Sequence, residues 1–315
     1  MRHLLAGTLL LTPSLAHQAT TYGEEGAGGN LTGVAVFSAV FLAALFATAW
    51  IGLRQARRRG RREVLWAVFP TVVVAAVGAM VGAAIWSYKP VGGAALVLEL
   101  TAHRYWWGLS YPELGMQSAG EGWIPVGARV EIRARSQDLF YSLSVPGLEL
   151  TMDAVPGQTT RAWVQARKPG VYGGVQSEYV GPATDKMRLR LLALPEARFQ
   201  ALVTAAQNFE PPEPPPVFLA RCAACHTVRG TEAQGALGPD LTLFALRTTF
   251  GSGVWPNREA FLRPWIQNAP GMKPGVKMPA FPDLTEKELK TLLAYLKRLG
   301  PEGFDFTDLI RVEGP

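Results

Sequence analysis

Two uncharged apolar runs separated by a knot of arginine constrain this chain more than any other feature. Residues 31–53 read LTGVAVFSAVFLAALFATAWIGL and residues 64–88 read VLWAVFPTVVVAAVGAMVGAAIWSY, without one Asp, Glu, Lys or Arg. As helices, both are long enough to cross a hydrocarbon layer of about 30 Å, and Pro70 is tolerable in a bilayer helix. Between them stand Arg54, Arg57, Arg58, Arg59, Arg61 and Arg62 against Glu63, a local sum of +5. The whole chain carries +6, so everything outside this loop sums to +1. A dispersed basic surface for nucleic acid is thereby excluded, and the charge reads as an orientation signal. Short Arg-rich loops stay cytoplasmic, which makes a two-helix transmembrane hairpin with the N-terminus and everything after Lys89 on the exported side. Two buried helices of a soluble protein are the rival reading, but soluble core helices seldom run this long without a charge.

Ahead of the hairpin, residues 1–17 have an early Arg2, an apolar LLAGTLLL and the small-residue run Ser14-Leu15-Ala16. That is the layout of a signal peptide, with an uncleaved amphipathic start as the alternative. Beyond the hairpin the texture changes. Alternations such as Ala95-Leu96-Val97-Leu98-Glu99-Leu100, Ala128-Arg129-Val130-Glu131-Ile132-Arg133 and Met187-Arg188-Leu189-Arg190-Leu191 have the period of two expected of an antiparallel β-sandwich or barrel. This all-β domain is expected over residues 93–206. Residues 207–216 form a proline-rich linker ending NFEPPEPPP, extended and stiff by composition. The next domain, 217–300, closes on a helix. Thr285 and Glu288 have capping-box spacing, Leu289, Leu292, Leu293, Leu296 and Leu299 form an apolar stripe, and Gly300-Pro301 gives a stop. Residues 301–315 read as a tail with little pattern.

Chemistry concentrates in Cys222-Ala-Ala-Cys225-His226, the spacing of covalent haem c attachment. Two thiols three positions apart can add to the two vinyl groups of one porphyrin while the adjacent histidine reaches the iron. A redox dithiol is the rival, and it has no need of the histidine. For the second axial position, Met278 of Lys277-Met278-Pro279 is the first candidate and Met272 the competitor. A thioether ligand raises the reduction potential, as suits an electron carrier.

Further motifs turn these pieces into a resemblance. Gly238-Pro239-Asp240-Leu241-Thr242, Arg247-Thr248-Thr249 and the segment from Lys273 to Phe281 resemble the cytochrome c domain fused to subunit II of some bacterial haem-copper oxidases. His103-Arg-Tyr-Trp-Trp107, Ile124-Pro-Val-Gly127, the segment from Asp138 to Pro146, Asp153-Ala-Val-Pro-Gly157 and Pro169-Gly-Val-Tyr172 resemble the cupredoxin domain of cytochrome c oxidase subunit II. The resemblance implies a multidomain membrane protein: the hairpin, a cupredoxin-like sandwich and an all-α class I cytochrome c domain, in a bacterial cytoplasmic membrane.

In that family a dinuclear copper centre is held by two cysteines, two histidines, a methionine and a backbone carbonyl. Matching the motifs puts Tyr141 and Thr184 at the histidine positions and Gln176 and Val180 at the cysteine positions, with Glu178 and Met187 retained. The chain has two cysteines, both in the haem motif, so no thiolate is left to bridge copper ions. His103 reads as a structural histidine. Glu178 matches a family glutamate that reaches a magnesium-type ion at the interface with the catalytic subunit; a solvated loop glutamate is the alternative. Tyr105, Trp106 and Trp107 match an aromatic cluster through which electrons enter the family's copper domain, or simply pack a core or a partner.

The implied role is that of a non-catalytic, electron-transfer subunit of an oxidoreductase complex. An external donor, a soluble cytochrome c or small copper protein, would reduce a haem held by Cys222, Cys225, His226 and Met278, and the catalytic subunit I would receive the electron for oxygen reduction. Three rivals stand: the same role in a copper-free nitric oxide reductase, a quinol-fed oxidase, against which the retained haem argues because a quinol route has no need of a cytochrome, and a scaffold or haem redox sensor.

Overall fold

The structure, a computed structural model, describes residues 21–22, 45–48, 50, 51, 54, 68–80 and 94–310. The described residues fall into two compact units, one within residues 23–93 and one made of 94–310 with 21–22. In the first, the described residues are helical and carry large apolar side chains in the open, among them Phe46, Trp50, Phe69, Val72 and Met80. Among the described residues no helix is long and apolar enough to cross a membrane. The signal peptide, most of the first expected span, nearly half of the second and most of the arginine loop lie outside the described residues.

In the second unit, eleven strands form two sheets. They are β1 (Thr21–Tyr22), β2 (Leu96–His103), β3 (Trp106–Tyr111), β4 (Met116–Ala119), β5 (Glu121–Pro125), β6 (Val130–Ser136), β7 (Tyr141–Val145), β8 (Leu150–Ala154), β9 (Thr160–Val164), β10 (Gly170–Gln176) and β11 (Arg188–Leu194). One sheet has the order β1-β9-β6-β2-β3-β4 and the other β5-β11-β10-β7-β8. The alternation that predicted strands is visible as burial: in β6, Val130, Ile132 and Ala134 turn inward while Glu131, Arg133 and Arg135 turn outward. The expectation of a purely antiparallel arrangement is corrected at two places, because β2 pairs β6 and β5 pairs β11 in parallel. Alternation reports which face is buried and is blind to strand direction, which longer crossover connections set.

Helix α1 (Glu196–Gln207) follows β11 and buries Phe199, Leu202, Val203 and Ala206. The expected linker then runs against the protein surface instead of free of it: Phe209 packs on the sandwich core and Pro214 is buried. A second core surrounds α2 (Pro216–Arg221), the short ribbon of β12 (Thr249–Phe250) and β13 (Trp255–Pro256), α3 (Glu259–Met272) and α4 (Glu286–Leu296). The ribbon is an addition to the all-α expectation. Helix α3 breaks at Asn268, just ahead of Pro270, whose ring cannot continue a helix, and the chain turns into the Gly/Pro-rich loop. The featureless tail acquires a role as well: Phe304 and Phe306, with Leu309 of α5 (Thr307–Ile310), return to the sandwich core.

Helix α4 starts where the capping box predicted. The Thr285 hydroxyl accepts from the Glu288 amide at 3.3 Å, and the Glu288 carboxylate accepts from the Thr285 amide at 2.9 Å. Loss of such a cap costs about 1 kcal/mol. Thr285→Ala is therefore expected to lower the thermal unfolding midpoint of this part measurably while leaving the spectrum of bound haem unchanged; calorimetry and a visible spectrum check both halves of the statement.

Candidate haem site

Helix α2 leads directly into the cysteine motif. Its hydrogen-bonded spiral continues beyond Arg221, with the Cys222 amide donating to Phe218 O at 2.8 Å and the His226 amide to Cys222 O at 2.9 Å. One helical turn thus presents Cys222, Cys225 and His226 to the same side. They line a cavity of about 440 Å³ together with Met278, Arg247 and Trp265. Met278 reaches it from the loop after α3, which is pinned where the Phe281 amide donates to Gln267 O at 3.1 Å. Met272, at the end of α3, is not among the lining residues; its backbone carbonyl is instead held by Lys186.

The local chemistry suits a haem ligand set. The His226 ring bonds Pro239 O through Nδ1 at 2.8 Å, so the Nδ1–H tautomer is fixed and Nε2 is left as the metal-binding nitrogen. Burial holds His226 below its usual range against the pull of that bond, keeping it neutral, the form that ligates. The Cys222 thiol is pushed up to about 12, by burial first and by Cys225 second. A redox dithiol requires the opposite, a thiol lowered toward or below neutrality. Two glycines open the space. A Cβ at Gly238 would lie 2.6 Å from His226 Cε1, and one at Gly235 2.5 Å from the Cys225 backbone.

Arg247 is the residue that motif reading undervalued. Its side chain is buried, donates through Nη2 to Asp240 O and leaves Nε without a partner. Burial brings it down to about 10, still a cation at neutral pH. An orphaned guanidinium N–H on the cavity wall fits the carboxylate of a haem propionate, so the residues present fit haem c.

The remaining candidates separate. Tyr105 and Trp106 line the same cavity from the sandwich. Tyr105 occupies the second position of a two-residue hairpin between β2 and β3, with φ of 70°, and Trp106 stacks on His103 with ring centroids 3.9 Å apart. His103 is held down at about 4, mainly by burial, in keeping with a neutral structural ring. Trp107 is wholly buried and meets Tyr141 edge-on at 6.0 Å. Tyr141 donates to Asp138 at 2.7 Å, the Gln176 amide donates to Glu178 O at 3.1 Å, and Thr184 both accepts from the Val180 amide and donates to Gly181 O. Met187 lies in the hydrophobic core. Glu178 is exposed next to Tyr179, itself 82% exposed, and no cluster of metal-binding side chains occurs among the described residues.

Comparison with known proteins agrees with both halves of this unit. Residues 116–193 match the family described as cytochrome c oxidase subunit II, periplasmic domain, and residues 216–300 match cytochrome c. The chain is 34% identical over 251 residues to cytochrome c oxidase subunit 2 of Alkalihalophilus pseudofirmus, covering 75% of this chain and 72% of the relative. The chain belongs to the cytochrome c oxidase subunit 2 family. A second relative of that name, from Bacillus sp. strain PS3, is 24% identical over 277 residues, 79% of this chain and 77% of its own length. Among solved structures, the periplasmic domain of cytochrome oxidase subunit II of Bradyrhizobium japonicum superposes with a TM-score of 0.36 at 22% identity, over 38% of this chain and all of that one.

The subunit 2 chain therefore has a cytochrome c part with the side chains that covalent haem requires. Gly238→Ala should push the His226 ring aside and reduce the covalent haem recovered per chain, measured as the pyridine haemochrome; normal haem content with an unaltered Soret band would contradict the packing described.

Proposed function

We propose that this subunit 2 chain is the electron-transfer subunit of a membrane haem-copper oxygen reductase, working through one covalent haem c and without a dinuclear copper centre. The observation that carries the reading is the convergence of Cys222, Cys225, His226 and Met278 on one cavity. Bound there, haem c supplies a one-electron ferric/ferrous couple. Cys222 and Cys225 would anchor it by thioether bonds, His226 Nε2 and the Met278 sulfur would ligate its iron, and Arg247 would pair with a propionate. The chain accepts one electron from an external donor, a soluble cytochrome c or small copper protein, which is oxidised. It hands one to the catalytic subunit, which is reduced; no atom is transferred.

The copper-free reading rests on the composition and on what occupies the ligand positions. Both cysteines belong to the haem motif. The Tyr141 hydroxyl, the Gln176 amide nitrogen, the Val180 backbone amide and the Thr184 hydroxyl are engaged in local hydrogen bonds, and none of the four side chains offers a thiolate or imidazole to copper. The exposure of Glu178 beside Tyr179 supports its reading as a residue that meets the catalytic subunit and offers carboxylate oxygen to a hard cation there. The two-pass anchor is supported by the arginine loop and by the exposed apolar side chains of Phe46, Trp50, Ile51, Phe69, Val72 and Met80, a surface that suits lipid and not water. The domain plan is accordingly a signal peptide at 1–17, spans at 31–53 and 64–88, a sandwich at 93–206, a linker at 207–216 and a cytochrome at 217–300.

Purified in mild detergent with its partner subunits, the chain should contain one covalent haem and no stoichiometric copper, and the complex should consume oxygen. Two copper ions per chain would overturn the copper-free reading, and consumption of nitric oxide instead of oxygen would move the complex to the reductase branch of the superfamily. Met278→Ala should abolish low-spin methionine ligation; an unchanged spectrum would transfer that role to Met272.

A further inference from the structure

A proline-rich linker between an electron carrier and its membrane-anchored neighbour suggests a shuttle that swings between donor and acceptor. The contacts between the cytochrome part and the sandwich point elsewhere. Glu121, on β5, is fully buried. Its carboxylate accepts from the Thr248 amide at 2.6 Å, the Thr248 hydroxyl at 2.8 Å and the Thr249 hydroxyl at 2.7 Å, with Arg190 Nε at 3.5 Å. Lys273, 1% exposed, crosses the seam in the other direction, donating to Tyr105 O at 2.6 Å and to Gly251 O at 2.8 Å. Between these points the backbones touch: the Arg188 amide donates to Ser252 O at 3.0 Å and the Ser252 hydroxyl donates to Arg188 O at 2.8 Å. Gly120, with φ of 68°, permits the approach, since a Cβ there would lie 2.5 Å from Ser252 Cα.

The seam is closed at its ends too. Leu243 and Leu246 from the cytochrome part join the sandwich core, and so do Phe306 and Leu309 after the cytochrome part has ended. Phe306 sits 6.5 Å from Trp123 between ring centroids, and Arg198 binds Asp308 at 2.9 Å. A segment anchored before and after its length, and gripped in the middle by buried polar groups that would lose their partners on separation, has no low-energy way to swing.

We propose that Glu121 and Lys273 are positioning residues that clamp the cytochrome part to the sandwich, so that its haem crevice faces Tyr105 and Trp106 from one fixed place. The consequence for electron delivery rests on the function proposed above, whereas the clamp itself rests on the seam. With no copper relay to swing toward, fixed geometry replaces mobility as the means of keeping the transfer distance constant.

The test uses the full chain in its detergent-purified complex, as wild type, Glu121→Gln, Lys273→Met and Phe306→Ala. Hydrogen–deuterium exchange should find the Thr248 and Arg188 amides protected in the wild type, and flash-initiated electron transfer to the catalytic subunit should not slow in viscous solvent. The variants should keep their haem content and spectrum, exchange those amides faster, and transfer electrons more slowly with a new dependence on viscosity. A wild-type Thr248 amide that exchanges as fast as those of residues 207–210, or a wild-type rate falling in step with viscosity, would overturn the clamp. Glu121→Gln and Lys273→Met proteins indistinguishable from wild type in both readouts would remove those residues from it. If Glu121→Gln does not fold, Lys273→Met and Phe306→Ala decide. A complex that passes no electron from this haem refutes the proposed function, and exchange still decides the clamp.

Discussion

A carboxyl group taken wholly out of water must be repaid with donors, and the way Glu121 is repaid organises the exported half of this protein. Burial drives its carboxyl above the usual carboxylate range, while the Thr248 and Thr249 donors and Arg190 oppose that rise. Leaving a buried polar group without its hydrogen-bond partners typically costs about 1–3 kcal/mol, a sizeable part of the stability of an ordinary domain. The donors belong to the cytochrome part and the acceptor to the sandwich. Separating the two would strand the carboxyl group in a face built to be covered, so docking is tied to the folding of both.

The same grip reaches the haem crevice through one peptide bond. Thr248 directly follows Arg247, whose guanidinium lies on the crevice wall, and the Asn257 side chain holds Arg247 O at 2.9 Å. Fixing the Thr248 amide therefore fixes where Arg247 starts, and Asp240 O fixes where one of its ends lies. Lys273, which lines the same cavity five residues before Met278, holds the turn that carries Tyr105. The walls of the crevice thus adjoin contacts that also hold the domains together.

Much of this was legible in the sequence because it depends on local spacing. Cys222, Cys225 and His226 form a site by being neighbours, Thr285 and Glu288 cap a helix across three residues, and alternation marks β2, β6 and β11. The seam escaped because its partners are distant in the chain: Glu121 meets Thr248 across 127 positions and Lys273 meets Tyr105 across 168. A lone glutamate and a lone lysine have no periodicity. Strand direction escaped for a related reason, since β5 and β11 share a ladder only through a crossover. The tail looked uninformative because Phe304, Phe306 and Leu309 are spaced to fit a surface already made by other segments. One available signal was passed over, the arginine directly ahead of the Thr248-Thr249 pair, because its exposure was unknown without the fold.

On the copper-free reading proposed above, the sandwich needs another reason to keep its shape, and the hydrogen bonds around Tyr141, Gln176, Val180 and Thr184 supply a local one. The Tyr141 hydroxyl, the Gln176 amide nitrogen and the Thr184 hydroxyl each bond a neighbouring side chain or the backbone, and Met187 adds its thioether to the apolar core, where such a flexible side chain fills irregular space well. On the function proposed here, that repacking has a mechanical consequence. A metal centre tolerates only the geometry of its ligands, whereas a packed and hydrogen-bonded loop can serve as a bearing surface. Tyr105 is buried against this region, close enough that a Cβ at Gly181 would lie 2.3 Å from its hydroxyl oxygen, and its carbonyl receives Lys273. The loop around Gly181 thus becomes part of the support against which the cytochrome is held.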